Sequence, residues 1–277
     1  MRRVKYLPTI VVSIIVVVFT FYNFTPFGWM VSTSFKSEKE AYRIPPTVFP
    51  QKPTTESYEQ IIIWTNFPRY FFNSTVVSLG ASLLSTIVGA LAGYGFSRFI
   101  FRGRTFLIGA ILASQMLPGV LLVGPYFKLL TRVALYNTYI GLILAFTTIT
   151  LPFSTWMMKG FIDTVPRELD MAGLVDGCSY PKVFLNLVFP IITPGMVATI
   201  IFAFILAWGD LLWVLVLTSG EAMTTVTLGL SRLVTQFRII WPQLMAGSVI
   251  GALPPVTLYL ILQKNLVRGL TAGAVKE

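Results

Sequence analysis

Apolar segments long enough to cross a lipid bilayer recur along the whole chain, and this feature excludes most other folds. Each is close to the ~20 residues that an α-helix needs to span the ~30 Å hydrocarbon core. Hydrophobic residues make up 55% of the 277 and charged residues only 12%, so a water-soluble fold would lack polar surface. The sequence therefore predicts an all-α membrane protein with six transmembrane helices, at residues 8–30, 74–96, 106–130, 139–158, 194–217 and 244–262.

The residue types on which many enzymes depend are scarce. The sequence has no histidine and one cysteine, Cys178, which excludes histidine-based triads, histidine-based zinc sites and an internal disulfide framework. An integral membrane enzyme would need reactive side chains grouped at one membrane face, and no such group is evident. We therefore expect neither catalysis by this chain nor a cofactor or metal of its own.

The charge balance indicates the orientation of the chain in the membrane. The 21 Lys and Arg against 11 Asp and Glu give a net charge of +10, but no basic run with interleaved aromatic residues suggests nucleic-acid binding. With the amino terminus inside, the cytoplasmic segments hold 12 basic residues and the opposite side holds 9. Because basic residues are retained on the cytoplasmic side, we predict that both termini are cytoplasmic.

The polar stretch at residues 32–69 is predicted to be an external loop. Its four prolines, Pro45, Pro46, Pro50 and Pro53, disfavour one long helix, although a short helix is expected near residues 58–64. We accordingly divide the chain at residue 72. Residues 1–72 are the first transmembrane helix with its external loop, and residues 73–277 are a core domain of five helices.

One large cytoplasmic loop, at about residues 159–193, differs in character from the others. Pro166 suits the first turn of a helix, and Glu168 and Asp170 complement the dipole at that end. Gly177 is a suitable carboxy-terminal cap. An apolar stripe at helical spacing is formed by Leu169, Ala172, Leu174 and Val175. The loop is therefore predicted to present a short amphipathic helix, which either lies against the membrane or its own bundle or docks a soluble partner.

Within this loop the chain resembles the membrane subunits of binding-protein-dependent ABC importers. Their pattern is Glu-Ala-Ala, three residues, Gly, then nine residues before Ile-x-Leu-Pro. Here those places hold Met171-Ala172-Gly173, Gly177 and residues 187–190. Because Met171 stands in the place of the signature Glu, this chain cannot form a salt bridge from that Glu. The resemblance implies an ATPase-coupling site that comprises Glu168, Asp170, Met171, Ala172, Gly173, Asp176, Gly177 and Pro190.

Further motifs resemble the carbohydrate importers of this family. They are Tyr-Gly-Phe-Ser-Arg-Phe at 94–99, Met-Leu-Pro at 116–118, Leu-Tyr-Asn-Thr at 135–138 and Ala-Trp-Gly-Asp-Leu-Leu-Trp at 207–213. The tail at 266–276 is similar to the ending of the second, shorter membrane subunit of maltose importers. The resemblance covers nearly the whole chain.

This resemblance implies a division of labour in a bacterial or archaeal cell (inner) membrane. This chain would form half of a translocation pathway for a sugar, expected to be a di- or oligosaccharide. A second homologous permease would complete the pathway, two ATP-binding subunits would use ATP and Mg to power it, and an extracytoplasmic solute-binding protein would deliver the sugar. A permease for a polyol or glycerol phosphate is the alternative. An ion-coupled secondary transporter is disfavoured, because intramembrane carboxylates are scarce and inverted repeats are not evident.

Polar residues inside the apolar segments are candidates for the substrate pathway. Asp210 is the sole acidic residue well inside one, and Trp208 and Trp213 offer flat faces on which sugar rings stack. Gln115 lies near the middle of the third segment. The alternatives are an interfacial aspartate held by a helix terminus or an Arg and flanked by aromatic-belt tryptophans, and, for Gln115, hydrogen bonding between helices.

The outer segment at residues 218–242 is too long for a minimal turn and mixes polar with apolar residues. It is predicted to contact the solute-binding protein through Leu228, Ser231 and Gln236. The alternative is a surface helix that caps the bundle.

Overall fold

The computed structural model describes residues 7–63, 65–235 and 238–272. Across these ranges the chain is almost entirely helical, and β-structure is limited to an isolated bridge between Val234 and Ile239. The all-α prediction is confirmed. The helices are α1 Leu7–Ser34, α2 Glu38–Ala41, α3 Glu56–Ile63, α4 Phe67–Arg98, α5 Arg104–Ser114, α6 Gly119–Arg132, α7 Tyr139–Asp163, α8 Arg167–Val175, α9 Tyr180–Val183, α10 Phe189–Gly209, α11 Leu212–Leu217, α12 Val226–Arg232 and α13 Trp241–Ala272.

In the part of the chain that the structure describes, five continuous segments are long and apolar enough to cross a membrane, and α5 with α6 makes a sixth if the pair is one span. The span predicted at 106–130 is divided into two helices, because α5 and α6 meet at 97° across a break that ends at Pro118, the amino-terminal cap of α6. Proline has no N–H to continue the hydrogen-bond ladder of α5. The continuous segments are Val11–Ser34, Phe67–Arg98, Tyr139–Asp163, Tyr180–Gly209 and Trp241–Gln263.

The fifth span also differs from the prediction. It begins at Tyr180, passes through a π-helical turn at Phe184–Val188 and ends at Gly209, whereas residues 194–217 were expected. Pro194 therefore lies inside α10 instead of starting it. The early end has a local cause, because Asp210 leaves the helical conformation and its carboxylate accepts the N–H of Trp213 in the first turn of α11.

The chain packs as two compact units, residues 1–68 with 229–252 and residues 69–228 with 253–277. This differs from the division at residue 72, in that residues 229–252 group with the amino-terminal part.

In the first unit, buried Lys36 donates to the Thr47 carbonyl and lies 4.4 Å from the Trp29 ring centroid. The Gln51 N–H donates to the Glu40 carboxylate and holds the pKa of that group below its ordinary value. These contacts fold the loop between α1 and α3.

The second unit is built on close packing of α4, α7 and α10. Small residues of α4 face α7, so the two backbones approach closely. A Cβ at Gly93 would lie 2.7 Å from the Lys159 backbone nitrogen, and one at Gly89 would lie 2.9 Å from the Ser154 carbonyl carbon. In a lipid bilayer the hydrophobic effect does not bring apolar helix faces together. Helices there associate through close packing of small residues of this kind.

Replacement of Gly93 by leucine is predicted to destabilise the second unit by about 1–3 kcal/mol, because α4 would have to move away from α7. The measurement is the thermal unfolding midpoint in detergent. Gly95→Ala is the matched control, since its Cβ would meet no atom within 4 Å and alanine favours the helix by ~1 kcal/mol. An equal melting temperature for both variants would contradict the close approach.

Candidate functional site

The loop between α7 and α10 folds into the predicted short helix, α8, with local signals at both ends. Pro166 occupies the amino-terminal cap, and acidic residues lie in the first turn. At the other end Gly177 has φ +83°. The Cys178 N–H donates to the Gly173 carbonyl and the Gly177 N–H to the Leu174 carbonyl, which is a Schellman motif. The prediction of Gly177 as the cap is confirmed.

The inner face of α8 packs against the turns that follow it. Asp170 and Gly173 are buried, and a Cβ on Gly173 would lie 2.7 Å from Leu187 Cδ1. Of the predicted apolar stripe, Leu169 and Leu174 pack against the buried cluster around Val183. Ala172 and Val175 are exposed instead, because α8 turns its acidic Asp170 inward.

The carboxylate of Asp170 is buried because α4 brings two partners to it. Tyr94 Oη donates to Asp170 Oδ1 at 2.7 Å. Arg98 Nε lies 3.0 Å from Asp170 Oδ2, without the alignment of a hydrogen bond, so this contact is an ion pair. Both side chains of the pair are less than 10% exposed. A buried charge is tolerated only when it is paired in this way.

Further bonds fix the end of α7 and the start of α8 to the end of α4. Arg98 Nη2 donates to the Val165 carbonyl at 2.9 Å, and Arg167 Nη2 donates to the Ser97 carbonyl at 2.9 Å. The Ser97 hydroxyl donates to Asp163 at 2.6 Å. These roles of Tyr94, Arg98 and Arg167 were not predicted from the sequence, in which the motif at 94–99 indicated only the family.

The outer face of α8 is left free of contacts that would bury it. Its centre is apolar, with Met171 62% and Val175 86% exposed. Carboxylates flank this centre. The exposed members of the predicted coupling site are Glu168, Met171, Ala172, Asp176, Gly177 and Pro190. The face can therefore receive a partner with an apolar centre and basic or polar edges.

The structure places the candidate pathway residues in different environments. Trp208 and Trp213 are 5% and 3% exposed; Trp208 packs against Phe71 and Phe204, and Trp213 against Tyr126. Both tryptophans thus serve packing within the chain.

Asp210 lies where α10 gives way to α11. Its Oδ1 accepts the Trp213 N–H at 2.8 Å, and its carbonyl accepts the Thr227 hydroxyl at 2.7 Å. The carboxylate is thus held by a helix terminus, as the alternative interpretation had it. Gln115 ends α5 at the break before α6, where it is exposed.

The residues of the outer segment that were predicted to contact the solute-binding protein also lie in different environments. Leu228 is buried in the core of the second unit, Ser231 is half-buried in α12, and Gln236 lies outside the described residues. The segment before α12 is held from α4 by Asn73, whose amide donates to the carbonyls of Ala222 and Thr224. Across residues 7–63, 65–235 and 238–272, no three His, Cys, Asp or Glu side chains group as metal ligands.

Comparisons with known proteins agree with this architecture. Residues 85–272 match the family described as binding-protein-dependent transport system inner membrane component. The chain is 36% identical to the inner membrane ABC transporter permease protein YcjP of Escherichia coli (strain K12), over 91% of this chain and 90% of that protein. It is 32% identical to the trehalose/maltose transport system permease protein MalG of Thermococcus litoralis, over 91% of both chains.

A solved structure shows the same fold. The crystal structure of a bacterial ABC transporter involved in the import of the acidic polysaccharide alginate superposes with a TM-score of 0.81. The match covers 95% of this chain and 98% of that chain at 16% sequence identity. At that identity the likeness concerns the fold alone.

Replacement of Arg98 by methionine is predicted to cost about 3–5 kcal/mol of stability, because the Asp170 carboxylate would remain buried without its cation. The double variant Arg98→Met with Asp170→Leu should recover most of that loss, since it leaves no buried charge. Thermal unfolding in detergent measures both. A double variant no more stable than Arg98→Met would show that the ion pair is not what fixes α8.

Proposed function

Since this chain belongs to the family of inner membrane components of binding-protein-dependent transport systems, we propose that it forms half of an import pathway for a sugar. Its role is transport and not catalysis. The observation that carries the proposal is α8, a short helix held rigidly on its inner face and open on its outer face. Such a helix receives force from a partner and passes it into the membrane-spanning helices.

The partner at α8 is an ATP-binding subunit, one of two that bind and hydrolyse ATP with Mg. The described residues of this chain support that assignment through the apolar centre of the outer face at Met171 and Val175, flanked by Glu168 and Asp176. Because Met171 stands where the family has Glu, docking at this position relies on apolar contact instead of a salt bridge. Closure of the two ATPases then displaces α8, and packed helices rearrange as rigid bodies.

The substrate class follows from the relatives. MalG of Thermococcus litoralis belongs to a trehalose/maltose transport system, which supports a di- or oligosaccharide for this chain. Of the four candidate pathway residues, Gln115 is exposed at the bend between α5 and α6, where its amide is able to bond sugar hydroxyls. Trp208, Asp210 and Trp213 support the pathway by packing and capping.

A second permease subunit completes the pathway. The unburied spans of this chain support this assignment: none of the apolar window of Val11–Ser34 and only 17% of that of Trp241–Gln263 is buried inside the chain, against 50% for Phe67–Arg98. An extracytoplasmic solute-binding protein delivers the sugar, and Ser231 on α12 is the described candidate for contacting it.

Both termini lie in the cytoplasm under this proposal, and the chain is a multi-pass protein of the inner membrane. In a Cys178→Ser background, Ser37→Cys and Ser219→Cys should react with an impermeant maleimide added to intact cells, whereas Ser179→Cys should not. All three positions are exposed in the structure, so reactivity reports the side of the membrane. Labelling of Ser179→Cys alone would invert the orientation.

Uptake of labelled trehalose and maltose by the reconstituted complex tests the proposed function.

Substitution of Gly177 tests the role of α8. Gly177→Val places a β-branched residue at φ +83° and should destabilise the cap of α8 by roughly 1–2 kcal/mol. This loss should weaken ATPase copurification about tenfold. A Cβ there meets no atom within 4 Å, so the effect arises from the backbone. Gly177→Asn is the matched control, because asparagine tolerates this conformation.

Normal copurification and uptake in Gly177→Val would remove the coupling assignment. Copurification without uptake of either sugar would retain the assignment and exclude these substrates.

A further inference from the structure

Helix α4 carries buried polar contacts at both of its ends, and each set holds a segment that is distant in sequence. Asn73 and Arg98 are 25 positions apart, which is roughly 38 Å at ~1.5 Å per residue. That length exceeds the hydrocarbon thickness of a bilayer. The two sets of contacts therefore lie toward opposite faces of the membrane.

At one end, α4 holds α8 through charged side chains. Asp170 of α8 bonds Tyr94 and pairs with Arg98, and Arg167 bonds the Ser97 carbonyl. The chain connects α8 directly to α7 and, through α9, to α10, whereas its link to α4 is made by side-chain contacts. A displacement of α8 consequently acts on α4 without passing along the backbone.

At the other end, α4 holds the segment between α11 and α12. The fully buried amide of Asn73 donates to the carbonyls of Ala222 and Thr224, at 3.0 and 2.8 Å. The Ser74 hydroxyl accepts the Val226 N–H at 2.8 Å, and Arg69 donates to the Ala222 carbonyl at 3.2 Å. Asn73 is itself positioned by Tyr139, which donates to its side-chain oxygen.

Between its ends α4 is one continuous helix without an internal proline. The other long helices of the described chain, α1, α7, α10 and α13, each contain an internal proline, whereas the one proline of α4 is Pro68 in its first turn. Prolines inside helices are the usual cause of kinks. A continuous helix without such a break is able to pass a displacement from one end to the other.

We infer that α4 is a rigid connector that passes the displacement of α8 to the outer segment at residues 219–226. Asp170 and Arg98 are positioning residues at one end, and Asn73 is the positioning residue at the other. The inference rests on the proposed function, because ATPase closure supplies the displacement. It assigns long-range transmission to a helix that does not flank the loop of α8.

The test follows both ends at once in the full complex with its partner permease and ATPases, reconstituted in nanodiscs. In a Cys178→Ser background, a bimane fluorophore is attached either at Ser179→Cys, beside α8, or at Ala222→Cys, in the outer segment. Both positions are exposed. ATP with vanadate is added, and the shift of the emission spectrum is measured at each site.

Asn73→Ala should leave the response at residue 179 intact and reduce the response at residue 222 by about fivefold or more, because two carbonyl contacts are lost. Thr75→Ala is the matched control, since its hydroxyl bonds only the Phe71 carbonyl of its own helix. Tyr94→Phe, which keeps the Arg98 ion pair, should reduce the response at residue 222 about twofold. A merely structural loss would lower both responses together.

An unchanged response at residue 222 in both Asn73→Ala and Tyr94→Phe would overturn the connector. The connector would also be overturned if the emission of the unmodified complex shifts at residue 179 but not at residue 222. The proposed function fails in a different way, with no response at residue 179 in the unmodified complex. If Asn73→Ala does not assemble, the Tyr94→Phe result decides.

Discussion

The burial of one carboxylate organises the loop between α7 and α10. Asp170 lies inside an apolar cluster, and an unpaired charge there would cost several kcal/mol. Tyr94 and Arg98 satisfy it, so α8 can occupy only the position that α4 allows. This restraint leaves Met171 and Val175 on the outer face, where the proposed partner docks. The proposed docking and the proposed transmission therefore depend on the same buried contact.

Features with a local cause could be predicted from the sequence. Span length and apolarity indicated the membrane class, and a proline, acidic residues and a glycine at fixed spacing indicated α8. Its cap at Gly177 was found because a left-handed residue that ends a helix is favoured by glycine whatever packs around it. The fold class followed from such signals, because they depend on composition and on short-range spacing, which a single sequence contains. The family followed from the resemblance of several motifs to known importers.

Features with a tertiary cause could not be predicted. Nothing near Asp170 shows that its partners lie more than seventy positions earlier, at Tyr94 and Arg98. In the sequence, Arg98 counts as one of the basic residues that indicate the cytoplasmic side, and Asp170 as a carboxylate that stabilises a helix dipole. Neither interpretation requires the other residue as a partner. Trp208 and Trp213 were assigned to the pathway because sugar rings stack on tryptophan faces and a nearby carboxylate accepts hydrogen bonds from sugar hydroxyls. Their burial is decided by Phe71 and Tyr126, which belong to other helices.

The exposed apolar stretch of α1 has a consequence for the substitutions that it tolerates. None of the apolar window within Val11–Ser34 is buried inside the chain, so no side chain of the chain has a shape that this stretch must match. Apolar side chains of different size can replace one another there without leaving a cavity or a clash inside the chain. Within the chain, substitution in this stretch is therefore limited by hydrophobicity, whereas the glycines of α4 facing α7 admit almost no change.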